Sequence, residues 1–274
     1  MKLIFGSGKT AQIIKRHDDI IVPHALCDIE DFTKVRDIIS REKGRQNTLT
    51  VVNCAAKTNL EFCQEEKERT YETNTKGTIN ILHACARFSC KFVHISSGCI
   101  FDGNKEASTE ESIPTPSVWY TYTKTWADQY ISNFGYEDYL ILRPRQMISP
   151  TPHPTNMLTK FSAYKTLYAH KEENTITWVE ELARVMDHLM KVGAKGIFNC
   201  GCEGFLSPYD IALGVKEYIK PQLEVIEATY EHTLSLQPNR RVNTILSLDK
   251  LKGTGFFPVE AKEALAQCLE NYGK

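Results

Sequence analysis

The sequence predicts an α/β protein, a doubly wound parallel sheet followed by a smaller C-terminal lobe. Three observations carry this expectation. Short apolar runs alternate with stretches of helical period from Lys2 to Leu142, and strands that alternate with helices imply a parallel sheet with right-handed crossovers. The first run ends in Gly6-Ser7-Gly8 and leads directly into a helical pattern, which is the strand, turn and helix of a βα unit. Pro144, Pro150, Pro152 and Pro154 then crowd a segment too rich in proline for a helix or a central strand, and so mark a change of module.

Lys2 to Phe5 is the first strand, and Thr10 to His17 carries Ala11, Ile13 and Ile14 at helical spacing. Ile20 to Pro23 reads as the second strand, Asp31 to Glu42 as a polar helix and Leu49 to Cys54 as a buried strand. Glu66 to Arg87 reads as one long amphipathic helix, with Ile79, Leu82 and Ala86 on one side and charges crowding its first turns. Lys91 to Ile95 follows as a strand, Tyr122 to Asn133 as a helix and Tyr139 to Leu142 as a strand. Beyond the prolines, Thr177 to Val192 reads as a helix and Gly196 to Cys200 as the strand that completes the sheet. Helices near Pro208 to Ile219 and Ala261 to Tyr272, with a strand-like Asn243 to Leu248, fall in the C-terminal lobe.

Composition narrows the function classes. With 33 Lys plus Arg against 34 Asp plus Glu, the net charge of −1 gives no electrostatic case for nucleic acid or an anionic membrane surface. The N-terminal MKLIFGSG turns glycine-rich early, and no apolar run reaches the roughly 18 residues of a spanning helix. Neither a signal peptide nor a membrane anchor is therefore expected, and the expected location is cytoplasmic. Nine cysteines, an odd number with no secretion signal before them, read as free thiols. Cys200-Gly201-Cys202 has no second pair at zinc-ligand spacing, so no metal is expected.

Gly6-Ser7-Gly8-Lys9-Thr10-Ala11 fits G-x-G-x-x-G/A between a strand and a helix. There the glycines let the backbone approach a pyrophosphate, and the helix N-terminus supplies unpaired N–H groups. Gly8-Lys9-Thr10 resembles the end of a P-loop, but that motif needs glycine at position 3 and Leu3 stands there, which excludes a P-loop NTPase. An NAD site usually places an acid about 20 residues on, to hold the ribose hydroxyls. Here the second strand ends Ile21-Val22-Pro23-His24, with Lys9 and Arg16 near enough to offer positive charge. NADPH is the expected cofactor, with NADH as the alternative. Asp28 stands where a carboxylate could accept from the adenine amine or cap a helix.

Tyr120 and Lys124 form Tyr-x-x-x-Lys at the head of a helix, a spacing that puts both side chains on one face. Ser97 follows the Lys91–Ile95 strand, at the carboxyl end where ligands bind in such sheets. A lysine ammonium lowers the pKa of a neighbouring phenol, a tyrosine can protonate a ketone oxygen as hydride arrives, and a serine can hydrogen-bond the same oxygen. Cys99, two residues beyond Ser97 on what reads as an extended strand end, is expected to project beside it.

With these motifs the sequence resembles the extended short-chain dehydrogenase/reductases, of Rossmann type, over nearly its whole length. The resemblance rests on the nucleotide loop, Asn53-Cys54-Ala55-Ala56-Lys57-Thr58, Asn74-Thr75-Lys76-Gly77-Thr78, Ile95-Ser96-Ser97-Gly98-Cys99-Ile100-Phe101-Asp102-Gly103 and Tyr120-x-x-x-Lys124. Within that group it is closest to the dTDP-4-dehydrorhamnose reductases. More narrowly it is similar to the 3,5-epimerase/4-reductase part of UDP-rhamnose synthases, through Asn59 to Cys63, Leu142-Arg143-Pro144-Arg145, Asn156-Met157-Leu158-Thr159-Lys160 and Gly196 to Asn199. Its departure lies in the nucleotide loop, where the later glycines become Ala11 and larger residues.

The resemblance implies a bifunctional enzyme that epimerises and then reduces a nucleotide-diphospho-4-keto-6-deoxy-hexose, with UDP-4-keto-6-deoxy-glucose to UDP-L-rhamnose as the expected case. Ser97, Tyr120 and Lys124 would carry reduction. Cys99 and Lys160 would carry epimerisation, as base and proton donor in either order, because the 4-keto group acidifies the C3 and C5 protons and the groups that hold the ketone oxygen also stabilise an enolate. Gly6, Gly8, Lys9, Thr10, Ala11, Asp28, Ala55, Ala56 and Lys124 would hold the cofactor, and Arg145, Asn156 and Arg241 the substrate, Arg241 at its diphosphate. Asn74 is expected to brace the sheet. Residues 1–148 and 178–200 then form the dinucleotide-binding domain, and 149–177 and 201–274 a nucleotide-sugar lobe. A homodimer is the expected assembly. The alternatives are a reductase that relies on a separate epimerase and a dinucleotide-sensing regulator without activity. A 4,6-dehydratase is disfavoured, since it needs an acidic pair where Gly98-Cys99 stands.

Overall fold

The computed structural model describes all residues except 104, 105, 238 and 240–242. Its regular elements, in chain order, begin with β1 (Lys2–Phe5), α1 (Lys9–Ile14), β2 (Ile20–Val22), α2 (Phe32–Lys43), β3 (Thr50–Asn53), α3 (Leu60–Glu65), α4 (Lys67–Tyr71), α5 (Thr78–Phe88) and β4 (Lys91–Ile95). They continue with α6 (Trp119–Asn133), β5 (Tyr139–Pro144), β6 (Met147–Ile148), α7 (Met157–Ser162), β7 (Thr166–Ala169), β8 (Thr177–Trp178), α8 (Val179–Lys191) and β9 (Gly196–Cys200). The last are α9 (Pro208–Tyr218), β10 (Glu224–Glu227), α10 (Tyr230–Ser235), α11 (Asp249–Lys252) and α12 (Ala261–Glu270).

Contacts divide the chain into two compact units, one of Met1–Ile100, Pro114–Arg143 and Leu189–Phe198, the other of Phe101–Ile113, Pro144–His188 and Asn199–Lys274. The sequence boundaries at 148 and 178 differ from this division, and nothing in sequence periodicity marks Phe101–Ile113 as part of the second unit.

The first unit is built on a six-stranded sheet in the order β2-β1-β3-β4-β5-β9. The pairs β1 with β2 and β3, β3 with β4, and β4 with β5 are parallel, which is the doubly wound arrangement expected. β1, β3 and β4 are buried along nearly their whole length, as strands covered on both faces must be. Leu3, Phe5, Val35, Ile39, Val51, Ile81, Leu82 and Phe92 form the core of this unit. Register has a direct consequence for chemistry, since β3 and β4 place Asn53 beside His94.

The stretch expected as one helix from Glu66 to Arg87 is helical from Lys67 to Phe88, but Glu72–Gly77 is a π turn between α4 and α5. Such turns add a residue to the helical path and concentrate at functional sites. Gly77 explains part of it, because a Cβ there would lie 2.5 Å from Cγ1 and 2.6 Å from Cδ1 of the buried Ile29. Only glycine lets the turn approach so closely.

In the second unit Ile148, Leu158, Ile176, Ile211, Val215, Ala264 and Leu265 form a separate core. β10 pairs with β7 and β6 with β8, both parallel. The helix expected from Thr177 thus starts at Val179, because Thr177 and Trp178 pair with Met147 and Ile148 first. Asn243 to Leu248 forms no named strand. Thr244 N donates to Asn174 Oδ1 and Leu246 N to Thr175 Oγ1, both at 2.9 Å, while Ser247 N donates to Ser108 O at 2.9 Å and Leu246 makes an isolated bridge with Ser108.

Candidate active site

Ser97, Cys99, Tyr120 and Lys124 all belong to the first unit, and the elements that carry them are fixed by sequence-local devices. Helix α6 starts where the Thr121 hydroxyl accepts from Ser117 N and Val118 N, each at 3.2 Å, leaving Tyr120 in the first turn and Lys124 one turn on. The π turn clamps this helix. Thr75 Oγ1 donates to Thr123 O at 2.9 Å and Asn74 Nδ2 to Thr123 Oγ1 at 3.1 Å. Asn74, fully buried, also accepts from Lys57 N at 2.7 Å and donates to Lys57 O at 3.0 Å. It ties the loop after β3 to the turn that holds α6, where the sequence led us to expect it to brace the sheet itself.

Ser97 lies close enough to Tyr120 to act on its phenol, and the Ser97 hydroxyl oxygen accepts from Cys99 N at 3.1 Å. Burial first, and then the nearby Cys99, push the Tyr120 phenol up, with the Ser97 hydrogen bond pulling the other way. The ammonium effect expected of Lys124 on this phenol is not among the causes. Lys124 is itself 1% exposed, and burial lowers its pKa to about 8, with the Asp128 carboxylate pulling the other way. Its Nζ donates to Ile95 O at 2.8 Å and lies 3.1 Å from His94 Nε2.

The strand argument for Cys99 is corrected. Gly98–Ile100 is a 3-10 turn, so the alternation of an extended strand does not operate. Cys99 is nevertheless half-buried and close enough to Tyr120 to act on it electrostatically.

Gly6 and Gly8 end β1 beside the end of β3, with Phe5 next to Asn53. Gly6 has φ of 99°, and a Cβ on it would come within 2.8 Å of Ala55 N. A Cβ on Gly8 would meet nothing within 4 Å, so the space over the first turn of α1 is open. Ala11 is fully buried and Thr10 half-buried, while Ala55 and Ala56 are half-buried on the adjoining loop. Lys9 is 6% exposed, whereas Arg16 and His24 are exposed. Asp28 does not cap α2; Asp31 does, accepting from Lys34 N at 3.1 Å. Asp28 accepts from Glu30 N at 3.0 Å and faces His24 at 3.9 Å.

The remaining candidates lie in the second unit. Lys160 is exposed on α7. Asn156 caps that helix, accepting from Leu158 N at 3.3 Å while its amide donates to Ser149 O at 2.7 Å and Thr151 O at 2.9 Å. It is fully buried, so the expected substrate contact is corrected to a structural one that shapes the loop before Lys160. Arg145 is buried, with its guanidinium donating to Asn174 Oδ1 at 3.1 Å. Arg241, the expected diphosphate partner, lies outside the described residues.

With this geometry in place, residues 6–274 match the RmlD substrate binding domain. The chain belongs to that family. Its relatives include an Arabidopsis thaliana bifunctional dTDP-4-dehydrorhamnose 3,5-epimerase/dTDP-4-dehydrorhamnose reductase, 28% identical over 203 residues that cover 71% of this chain and 66% of the relative. An Arabidopsis trifunctional UDP-glucose 4,6-dehydratase/UDP-4-keto-6-deoxy-D-glucose 3,5-epimerase/UDP-4-keto-L-rhamnose-reductase is 28% identical over 71% of this chain and 30% of its own length. The chain thus spans about a third to two thirds of these relatives. Among solved structures, a dTDP-4-dehydrorhamnose reductase from Clostridium acetobutylicum superposes with a TM-score of 0.85 at 26% identity, covering 99% of this chain and 98% of that one.

Membership of the RmlD family agrees with the sheet, and the structure brings two further residues, Asn53 and His94, up behind Lys124. No motif in the sequence assigns either residue a role. The signal was present in β4, Lys-Phe-Val-His-Ile, where one polar residue interrupts a buried strand. Among the described residues no group of three or more His, Cys, Asp or Glu side chains could hold a metal, and no helix is long and apolar enough to cross a membrane.

Proposed function

We propose that this protein is an NADPH-dependent reductase of a nucleotide-diphospho-4-keto-6-deoxy-hexose that also epimerises its substrate at C3 and C5, with UDP-4-keto-6-deoxy-glucose as the preferred substrate and UDP-L-rhamnose as product. The observation that carries the reading is the cluster of Ser97, Tyr120 and Lys124, with Ser97 just past the carboxyl end of β4 and acting on the Tyr120 phenol, Lys124 bonded to Ile95 O at the end of that strand, and an open glycine turn after β1 in the same sheet. Family membership and the names of the relatives support the substrate class.

The dinucleotide fits the residues present. Open space over Gly8, the close approach of Gly6 to Ala55 and the adjoining Ala55-Ala56 loop would admit a pyrophosphate and ribose, with Thr10, Ala11 and Lys9 in the first turn of α1 and Asp28 toward the adenine side. Arg16 and His24, exposed and with no acid at the end of β2 to repel a 2′-phosphate, favour NADPH over NADH. When bound, the cofactor supplies hydride.

This chain's residues supply the rest. Burial keeps the Tyr120 phenol protonated across the neutral range, so it has a proton to give to the ketone oxygen. Ser97 shares that oxygen and orients the phenol. Lys124 in its charged form stabilises the tyrosinate left behind. For epimerisation, Cys99 beside Tyr120 removes or returns the proton α to the carbonyl, and Lys160 serves the opposite role, while Ser97 and Tyr120 hold the enolate oxygen. Arg145 and Arg241 bind the diphosphate end. The reading includes a cytoplasmic location and a homodimer, for which Tyr122 and Tyr130 on α6 and Phe134 just past its end, each more than a third exposed, offer an aromatic surface of the kind enriched at interfaces.

Incubation with NADPH and UDP-4-keto-6-deoxy-glucose in deuterated buffer tests the whole. Expected are NADPH oxidation, its loss by a factor of at least about 100 in Tyr120→Phe with cofactor binding retained, and deuterium at C3 and C5 that disappears at one or both carbons in Cys99→Ser or Lys160→Met. Oxidation with wild-type exchange in both of those variants leaves a reductase served by a separate epimerase. Binding of NADPH with no turnover leaves a sensor.

A further inference from the structure

Behind Lys124 lies a buried chain of hydrogen bonds whose direction is set at its far end. Asn53 Oδ1 accepts from the backbone N–H of Ala55 at 3.0 Å, which fixes the amide so that Nδ2 is its donor. One hydrogen of that NH₂ goes to Thr78 Oγ1 at 2.9 Å. The Thr78 hydroxyl is itself committed as a donor to Asn74 O at 2.8 Å, so it can only accept from Asn53. The second hydrogen of Asn53 points at His94 Nδ1, 3.3 Å away. A neutral imidazole that accepts at Nδ1 carries its proton on Nε2, and Nε2 is the atom 3.1 Å from Lys124 Nζ.

An ammonium has three donors and no lone pair. Against an Nε2–H it is a donor facing a donor, a mismatch that the neutral amine does not have, since its lone pair can accept. The other tautomer only moves the mismatch to Asn53. We propose that His94 is a positioning residue for Lys124, which with Asn53 presents an N–H in place of a lone pair to the lysine nitrogen and so sets the pH at which Lys124 loses its charge. The inference rests on the reading of Ser97, Tyr120 and Lys124 as a reductase site, and it deepens that reading by assigning the group that tunes the lysine.

The surroundings agree. His94 and Lys124 are both essentially unexposed, so bulk solvent does not soften the mismatch. Burial and the neighbouring lysine hold His94 well below its ordinary range, so it stays neutral and keeps one N–H to place. The remaining ionisable groups about Lys124 are Asp128 one turn along α6, Cys54 after β3, and Tyr120 one turn back. Asp128 favours the charged lysine, but its carboxylate is shared with Arg143, whose Nε donates to it at 3.0 Å. Cys54 is pushed up to about 12 by burial and is a neutral thiol over the working range. Tyr120 stays protonated. His94 is thus the neutral neighbour whose proton placement decides which form of the lysine is accommodated.

Two measurements test this. Nitrogen-15 spectra of the histidine-labelled protein, with His94 assigned through its stacking on Phe92 at 6.2 Å between ring centres, report which ring nitrogen is protonated. The expected result at alkaline pH is a protonated Nε2 and an unprotonated Nδ1. The Nδ1–H tautomer at every pH overturns the inference, because Nε2 would then accept from an ammonium. The second measurement is the pH profile of kcat/KM for NADPH oxidation. His94→Asn retains an acceptor near the Nδ1 position and removes the Nε2–H, so the alkaline limb is expected to move up by about one pH unit, a tenfold change in the proton concentration at which half the activity is lost. An unmoved limb with lower turnover at all pH values means a merely structural histidine and overturns the inference. The two readings fail separately. A wild type that never oxidises NADPH defeats the reductase, and the tautomer measured in wild-type protein, which needs no variant to fold, still decides the role of His94.

Discussion

At the scale of single residues, Lys124 carries a cost that the site accepts. Its nitrogen is buried beside neutral His94 with one carbonyl partner, and its pKa falls from 10.5 to about 8. Between those values the unfolded chain holds a proton that the folded chain lacks, so stability rises with pH through that window, and the full penalty is present below about pH 8. The difference corresponds to roughly 3 kcal/mol, as an order of magnitude. Lys124→Met removes the buried charge along with the hydrogen bonds. Its stability relative to wild type is therefore expected to be highest near pH 7 and to decline by about that amount as pH approaches 10. Urea denaturation of both proteins at pH 7, 8.5 and 10 checks this, and a stability difference that does not change with pH would show that Lys124 keeps its charge when folded. The same burial is useful chemically, since a lysine that titrates near the working range responds to small changes in charge at Tyr120.

At the scale of elements, glycines of two kinds position this site and can be told apart. Gly77 serves packing, because the π turn reaches Ile29 only without a Cβ, and that turn carries the Asn74 and Thr75 contacts to Thr123. Gly8 faces open space instead, and its φ of −69° suits any residue. Gly77→Val is expected to destabilise the free protein by about 1–3 kcal/mol through overpacking. Gly8→Val should change the free protein by no more than about 0.5 kcal/mol and abolish the stabilisation that NADPH confers on wild type. Thermal unfolding with and without NADPH distinguishes the two, and an unstable free Gly8→Val would remove that glycine from the list of ligand positions. The Lys67–Phe88 helical path shows how an element is legible only in part. Hydrophobic period announces a helix, but a π turn changes the period by one residue within a single turn, and its cause, Ile29, lies 48 residues away in sequence.

At the scale of the whole molecule, the dinucleotide is expected to stabilise the folded chain in proportion to its affinity, because a ligand that binds only the native state adds RT ln(1 + [L]/Kd). At equal concentrations NADPH is expected to raise Tm more than NADH, and a tenfold affinity preference adds about 1.4 kcal/mol. Equal shifts would mean that Arg16 and His24 do not meet a 2′-phosphate. Sequence alone determined the doubly wound sheet, since alternation of buried strands with amphipathic helices is a local, periodic property and leaves few topologies. It also brought forward the candidate Ser97, Tyr120 and Lys124 set, because Tyr120 and Lys124 are one helical turn apart and Ser97 follows a strand. Tertiary structure alone decided the rest. It turned Asn156 inward as a cap, put Cys99 on a 3-10 turn, grouped Phe101–Ile113 with the second unit and set His94 between Asn53 and Lys124. The physical reason is range. Period and capping act over a few residues and are written in neighbouring letters, whereas the direction of a buried hydrogen bond depends on strand register and on partners brought from distant parts of the chain, which no local pattern records.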